Sequence, residues 1–175
     1  KPVFFSINTA GCEMWNKKMV FLSIPLTIFA VAQILLAFLL YNPQANETMI
    51  NAGWAILFLS AIFGWLPIFT FRAKGGVKGR GYIQTTVLVD SGIYAIVRHP
   101  QYLAGILINI ALALISQHGL VALTGVAAAV LYYLGIFDEE KGCIEKFGEE
   151  YIQYMKRVPR INFIVGILRI ILNRS

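Results

Sequence analysis

The sequence is poor in charge. Charged residues make up 14% of the chain, against roughly 25% in a soluble domain. Hydrophobic residues make up 58%, and mean hydropathy is +0.68. That balance excludes an ordinary water-soluble fold and fits an integral membrane protein. Cysteine is scarce as well. Cys12 and Cys143 lie far apart with no CxxC spacing, so neither a disulfide framework nor a zinc site is expected. No His, Asp and Glu cluster has metal-ligand spacing, so no metal is expected. No basic groove interleaved with aromatics points to nucleic acid. Residues 1–18 lack a charged stretch running into an apolar one, so no signal peptide is expected. Internal repeats and low-complexity segments are missing too. At 175 residues the chain has the length of about one domain.

Long apolar runs are what the chain does have. Residues 19–41 and 49–71 each supply about the 20 residues a bilayer core requires, and the prolines inside them, Pro25 and Pro67, are tolerated in membrane helices. Two shorter runs follow at 100–117 and 119–137, close enough together to form a tight helical hairpin. The expected fold is therefore an all-α integral membrane protein with about four transmembrane helices, in a single membrane domain over residues 1–175. Basic residues are absent from 42–48 and from the turn at 117–119. All 15 Lys and Arg lie before the first span, between the second and third, or after the fourth. The positive-inside rule then puts both termini and the 72–99 loop in the cytoplasm. The net charge of +6 follows from that topology and from attraction to anionic headgroups. Asn46 opens an "NET" sequon on the outer side, too close to the second span to serve as an acceptor.

Residues 138–175 read as a cytoplasmic and interfacial tail. Within 138–157, Cys143, Phe147, Tyr151, Tyr154 and Met155 fall near one face at helical steps, an amphipathic helix with a break near Gly148. Residues 161–173 are too short to span and carry Arg169, so an interfacial helix is expected there.

Polar side chains at a membrane boundary cost free energy and so mark candidate function. They gather in the 72–99 loop with the start of the third helix, and at the end of the fourth, "LGIFDEEKGC". A hairpin of those helices makes neighbours of Arg98, His99, Asp138, Glu139 and Glu140, which lie about 40 residues apart in sequence. Pro100 suits the first turn of a helix, whose free N–H groups bear partial positive charge. With Arg98 and His99 they would hold a carboxylate or phosphate. Glu139 and Glu140 would hold an ammonium or a pair of hydroxyls, and Tyr94 and Tyr102 offer ring faces to a cation. S-adenosylmethionine has a carboxylate, an amine, a ribose and a positive centre, and would use all of these. The same residues also read as plain structure, with Arg-His-Pro an anchor and helix start and the acidic pair a solvated helix face.

The stretch "LVDSGIYAIVRHPQYLAG", followed by "DEEKGCIEKFGEEYIQYMKRVPR", resembles the membrane methyltransferases typified by isoprenylcysteine carboxyl methyltransferase, to which the phospholipid N-methyltransferases are related. The resemblance covers about residues 84–160, and the first two spans match in character only. It implies helices enclosing S-adenosylmethionine near the cytoplasmic membrane face. It further implies cofactor contacts from Thr86, Val87, Leu88, Val89, Tyr94, His99, Pro100, Gln101 and Tyr102, with Leu103 lining the pocket and Glu139 on the other side. One departure stands out. The eukaryotic prenylcysteine enzymes carry an arginine about one turn before the acidic pair, and here that position falls near Gly135.

A displacement at a sulfonium methyl asks the protein mainly for alignment and exclusion of water. A carboxylate acceptor needs no base. A phospholipid amine must arrive deprotonated, a task for Glu140 or His99. Glu140 and Arg98 are therefore the candidate catalytic residues, and Arg98, Arg157 or Arg160 would serve a substrate carboxylate or phosphate. A lipid acceptor follows from location, because a site between helices at the membrane face admits a substrate sideways from the bilayer. Gly125, Ala127, Ala128 and Ala129 let helices pack closely, and His118 reads as a solvated residue of the outer turn. Two rival readings remain. Membrane sterol reductases, which use NADPH and are usually longer, show a similar "RHPxY" element, acidic stretch and "VP". A non-catalytic lipid-binding membrane module would bind no cofactor at all.

Overall fold

A computed structural model describes residues 9–42, 44–74 and 87–172 of the chain, with side chains from residue 22 onward except Phe71. Among these residues every regular element is helical. Two long helices, α1 (Thr9–Leu39) and α2 (Glu47–Lys74), precede a 3₁₀ turn at Gly92–Ala95. Then come α3 (Pro100–Ser116), α4 (Gly119–Phe147), α5 (Glu149–Arg157) and α6 (Phe163–Leu172). The chain is thus the all-α membrane protein its composition implies. Three segments are long and apolar enough to cross a bilayer: Leu22–Leu39, Glu47–Lys74 and Gly119–Phe147. The helix α3 has 17 residues, about 26 Å at 1.5 Å per residue, short of a hydrocarbon core of about 30 Å. Of the about four expected spans, three are long enough to cross among the described residues, and the helix expected as the third, α3, is shorter.

Helix ends differ from the apolar boundaries for a physical reason. The fourth span was expected to end at 137, yet α4 continues to Phe147. Residues 138–147 are rich in charge, which ends burial in lipid, but they contain no proline, and a lone Gly142 does not stop a helix. The stop comes at Gly148, with φ +58°, a conformation glycine adopts at no steric cost. At the opposite end of the bundle, Asn46 Oδ1 accepts from the amides of Thr48 and Met49 at 2.9 and 3.2 Å and so caps α2. Asn46 and Gln117 also exchange two hydrogen bonds through backbone and side chain. His118 is half-buried and its ring accepts from Leu120 N at 3.3 Å. It caps α4 rather than simply meeting solvent.

The bundle pairs α2 with α3 and α1 with α4. Large apolar side chains on its outside, among them Phe38, Trp54, Phe58, Trp65 and Leu123, are exposed, as lipid contact requires. Polar groups bind the helices inside. Gln33 of α1 is fully buried and donates to the carbonyls of Asn109 (2.9 Å) and Val121 (3.3 Å). Ser60 of α2 donates to Ala104 O at 2.8 Å. Gly125 makes room for Gln33, because a Cβ there would collide with its amide. Such interhelical bonds contribute about 0.6 kcal/mol each on average, so close packing carries the larger share.

Two apolar clusters lie where α3 begins and α4 ends. One joins Phe63 of α2 to Val89, Ile93, Tyr94, Val97, Leu103 and Ala104. The other buries Tyr151, Tyr154 and Val158 against Leu88, Cys143, Ile144, Phe147 and Met155. The apolar face expected along 138–157, and its break at Gly148, are both found. The terminal helix α6 crosses beneath the 92–98 segment, with Gly166 against the Ile96 carbonyl and Phe163 against Phe63 at 5.4 Å between ring centroids.

Candidate active site

The site is built where the first turn of α3 meets the last turns of α4. Pro100 occupies the first turn of α3, with His99 at the N-cap position. The segment just after α5 pairs with the approach to α3: Arg98 N donates to Pro159 O at 3.0 Å, and His99 N to Arg160 O at 3.1 Å. Residues 98 and 99 are therefore held to 159 and 160 backbone to backbone before any side chain is considered.

Glu140 is the charged centre of this junction. It is 4% exposed, and His99 3%. Its Oε1 lies 3.2 Å from His99 Nε2 and 3.1 Å from Arg98 Nη1. Arg160 binds both oxygens, Nε to Oε1 at 3.1 Å and Nη2 to Oε2 at 2.7 Å. Three cationic or donor side chains thus surround one buried carboxylate, the compensation a buried charge requires. The Arg160 guanidinium lies over the Phe137 ring at 4.5 Å and reaches the Tyr133 hydroxyl at 3.3 Å. Hydrogen bonding to Glu140 holds Arg160 above its ordinary pKa. Beneath the junction, the Tyr154 hydroxyl donates to Tyr94 O at 2.7 Å, and burial pushes its pKa well up.

The neighbouring Glu139 is different. Its side chain is 37% exposed and lies 3.9 Å from His99 Nδ1, with the Tyr102 hydroxyl also in reach. The acidic pair therefore divides into one buried, fully engaged carboxylate and one open one. The Tyr102 ring meets His99 edge-on at 5.7 Å and Tyr132 at 6.3 Å. Beside it opens a small cleft lined by Leu22, Ser23 and Leu26 of α1, Tyr102 of α3, and Leu131, Gly135 and Asp138 of α4.

The structure brings together Arg98, His99, Pro100, Tyr102, Glu139 and Glu140, as the hairpin argument required. Other expected contacts stand apart. Tyr94, Val89 and Leu103 are buried in the apolar cluster against α2, Leu88 packs toward α5, and Val87 and Gln101 are exposed. Thr86 lies outside the described residues. Arg160, one of three arginines the sequence offers for a substrate carboxylate or phosphate, is bound to Glu140; nothing in the periodicity around "VPR" points to that contact. Tyr133 and Phe137 were missed because they look like ordinary membrane aromatics. Arg98 has an unusual surrounding. Its ion pair with Glu140 is not aligned as a hydrogen bond, and its buried Nε and Nη1 find no acceptor in the protein. Among the described residues, no group of three His, Cys, Asp or Glu is placed to hold a metal ion.

Residues 48–150 match the family model for phospholipid methyltransferases. The protein-S-isoprenylcysteine O-methyltransferases of Mus musculus and Rattus norvegicus are each 36% identical to the chain over 92 residues. That of Homo sapiens is 36% identical over 88 residues. Each match covers 47% of the chain and 30% of the relative, so the chain accounts for under a third of the length of these curated relatives. No solved structure matches the chain.

Proposed function

The chain belongs to the phospholipid methyltransferase family, and from that premise we propose that it is an S-adenosylmethionine-dependent membrane methyltransferase acting on a lipid-like acceptor at the cytoplasmic membrane face. The observation that carries the reading is the meeting of His99, Arg98 and the acidic pair beside a lipid-facing cleft. The orphaned Arg98 donors fit a partner bearing a carboxylate, since a buried donor left unpaired costs about 1–3 kcal/mol.

When bound, the cofactor supplies a methyl group already activated on a sulfonium sulfur. Arg98, His99 and the first amides of α3 would hold its carboxylate. Glu139, open to the site, would hold its amine or its ribose hydroxyls. Pro100 and Tyr102 would form its wall, while Val89, Tyr94 and Leu103, packed against α2, would support that wall from behind. Arg98 thus keeps a role at the cofactor. Glu140 acts by positioning, because both its oxygens are already engaged and a carboxylate so held is a poor proton acceptor. Any proton taken from the acceptor goes to Glu139 or its surroundings. The 72–99 segment serves as the cofactor loop and residues 138–175 as the interfacial tail, both on the cytoplasmic side by charge distribution.

The test is binding of S-adenosylmethionine and of NADPH to the detergent-purified chain by calorimetry, with His99→Ala and Glu139→Ala beside it. The reading expects micromolar S-adenosylmethionine affinity, weakened at least tenfold in both variants. Binding of NADPH alone would move the protein to the reductase class. Binding of neither by a folded sample would end the catalytic reading.

A further inference from the structure

We infer that α6 is embedded in the bilayer beside α2, where it completes the crossing that α3 leaves short and shields the 92–98 segment from lipid. This goes beyond the methyltransferase reading and does not depend on it.

The paired helices α2 and α3 end at different heights. Ser60 of α2 donates to Ala104 O of α3 at 2.8 Å. From that level α3 runs four residues back to its start at Pro100, about 6 Å. In the same direction α2 runs twelve residues to Arg72, its next charge, about 18 Å. So about 12 Å of apolar α2 rises beyond the start of α3, with Trp65, Leu66 and Phe69 exposed on it.

Irregular backbone occupies that height. Gly92 abuts Thr70 of α2, and the chain passes from there through the 3₁₀ turn to Pro100. Backbone of this kind is tolerated at membrane depth only where protein covers it. The tail provides the cover. Pro159 O and Arg160 O accept from the amides of Arg98 and His99. The Tyr154 hydroxyl donates to Tyr94 O, and Arg169 donates to Ala95 O. Gly166 then brings α6 directly onto the Ile96 carbonyl.

The outside of α6 has the chemistry of an acyl-chain surface. Ile164, Val165, Ile167, Leu168, Ile171 and Leu172 are exposed there. The one charge of the helix, Arg169, is turned inward onto the carbonyls of Ala95 and Arg157. Arg157 ends α5, so its carbonyl lies at the negative end of that helix dipole. Asn162 Oδ1 accepts from Val165 N at 3.1 Å, which satisfies a free amide at the start of α6. A helix lying in the plane of the interface keeps a charged or polar face toward water, and α6 has no such face. Lipid is the occupant because the surface continues that of α2: Phe163 packs on Phe63, next to the exposed Trp65 and Phe69.

The experiment uses the full chain in phosphatidylcholine nanodiscs, with Cys12 and Cys143 replaced by serine. Spin labels are attached in Ile164→Cys, Leu168→Cys and Ile171→Cys, and in Phe58→Cys and Lys156→Cys as acyl-chain and aqueous references. Collision with oxygen and with a water-soluble nickel chelate gives the depth of each label. Labels at 164 and 168 are expected to resemble the one at 58. The label at 164 is expected to lie deeper than the one at 171 by a large part of the about 10 Å that separates them along the axis. Equal, headgroup-level depths at 164 and 171 would make α6 an in-plane helix, and nickel access matching that at 156 would place it in water; either overturns the inference. Low access to both reagents would mean that protein covers the face, a second copy of the chain or another segment, and would overturn lipid as its occupant. A label can disturb docking, so the unsubstituted chain is also irradiated with a phosphatidylcholine carrying a diazirine in its acyl chain. Adducts within 163–172 are expected; adducts on α2 with none on α6 would overturn the inference as well.

Discussion

Arg160 and His99 reach Glu140 from different parts of the chain, and their contacts define what each residue contributes. Glu140 Oε1 at 3.2 Å from His99 Nε2 places a proton on that nitrogen and turns Nδ1 toward Glu139. Removing the carboxylate leaves Arg98 and His99 buried without their partner, and breaking a buried pair costs about 3–5 kcal/mol. Glu140→Ala is therefore expected to lower the melting temperature in detergent strongly. Arg160→Lys keeps the charge but loses the two-point grip, at a cost of about 1 kcal/mol. In Glu140→Gln the ¹⁵N resonances of the His99 ring are expected to change tautomer signature. An unchanged His99 spectrum would show that Glu140 does not orient the ring.

At the scale of elements, α6 and the 92–98 segment are made for each other. Gly166 sits directly on the Ile96 carbonyl, and Arg169 reaches the carbonyls of Ala95 and Arg157. Because the obstruction is backbone, a side chain at 166 cannot be absorbed by a rotamer change. Gly166→Ala is expected to destabilise the docked helix by about 1–3 kcal/mol. Hydrogen exchange should speed up at residues 163–172 while α1 and α2 keep their protection. Affinity for the proposed cofactor, S-adenosylmethionine, should fall as well, since Arg98 and His99 directly follow the segment that α6 supports. Equal exchange in parent and variant would mean that α6 docks without Gly166.

At the scale of the whole molecule, the distribution of charge makes a sided prediction. The end carrying Asn46 and Gln117 is expected outside, and the end carrying Lys141 and Lys156 in the cytoplasm. Single cysteines placed at Gln44 and at Lys156, in a background with Cys12 and Cys143 replaced by serine, test this with an impermeant thiol reagent on intact cells. Labelling at 44 and protection at 156 is the expected pattern; the reverse would invert the proposed location of the site.

Most of the architecture was legible because apolar runs and glycine stops act locally. Residues 19–41 and 49–71 announce spans wherever they are placed, the turn at 117–119 closes a hairpin through its brevity, and Gly148 breaks the tail helix through its own φ. That hairpin also foretold the meeting of His99 with Glu139 and Glu140, because antiparallel helices joined by a short turn bring their far ends together. Other features rest on distance. Nothing local in "DEE" says which glutamate is buried; the return of Arg160 after α5, and the pairing of Pro159 and Arg160 with Arg98 and His99, decide it. Nothing local at Gly135 or Asp138 shows a cleft, which exists because α1 lies across α4. Composition and periodicity determined a helical membrane protein with a polar mouth at the hairpin's open end. Tertiary structure alone decided which charges in that mouth neutralise one another, because electrostatic pairing depends on a few ångströms between residues that sequence separates by tens of positions.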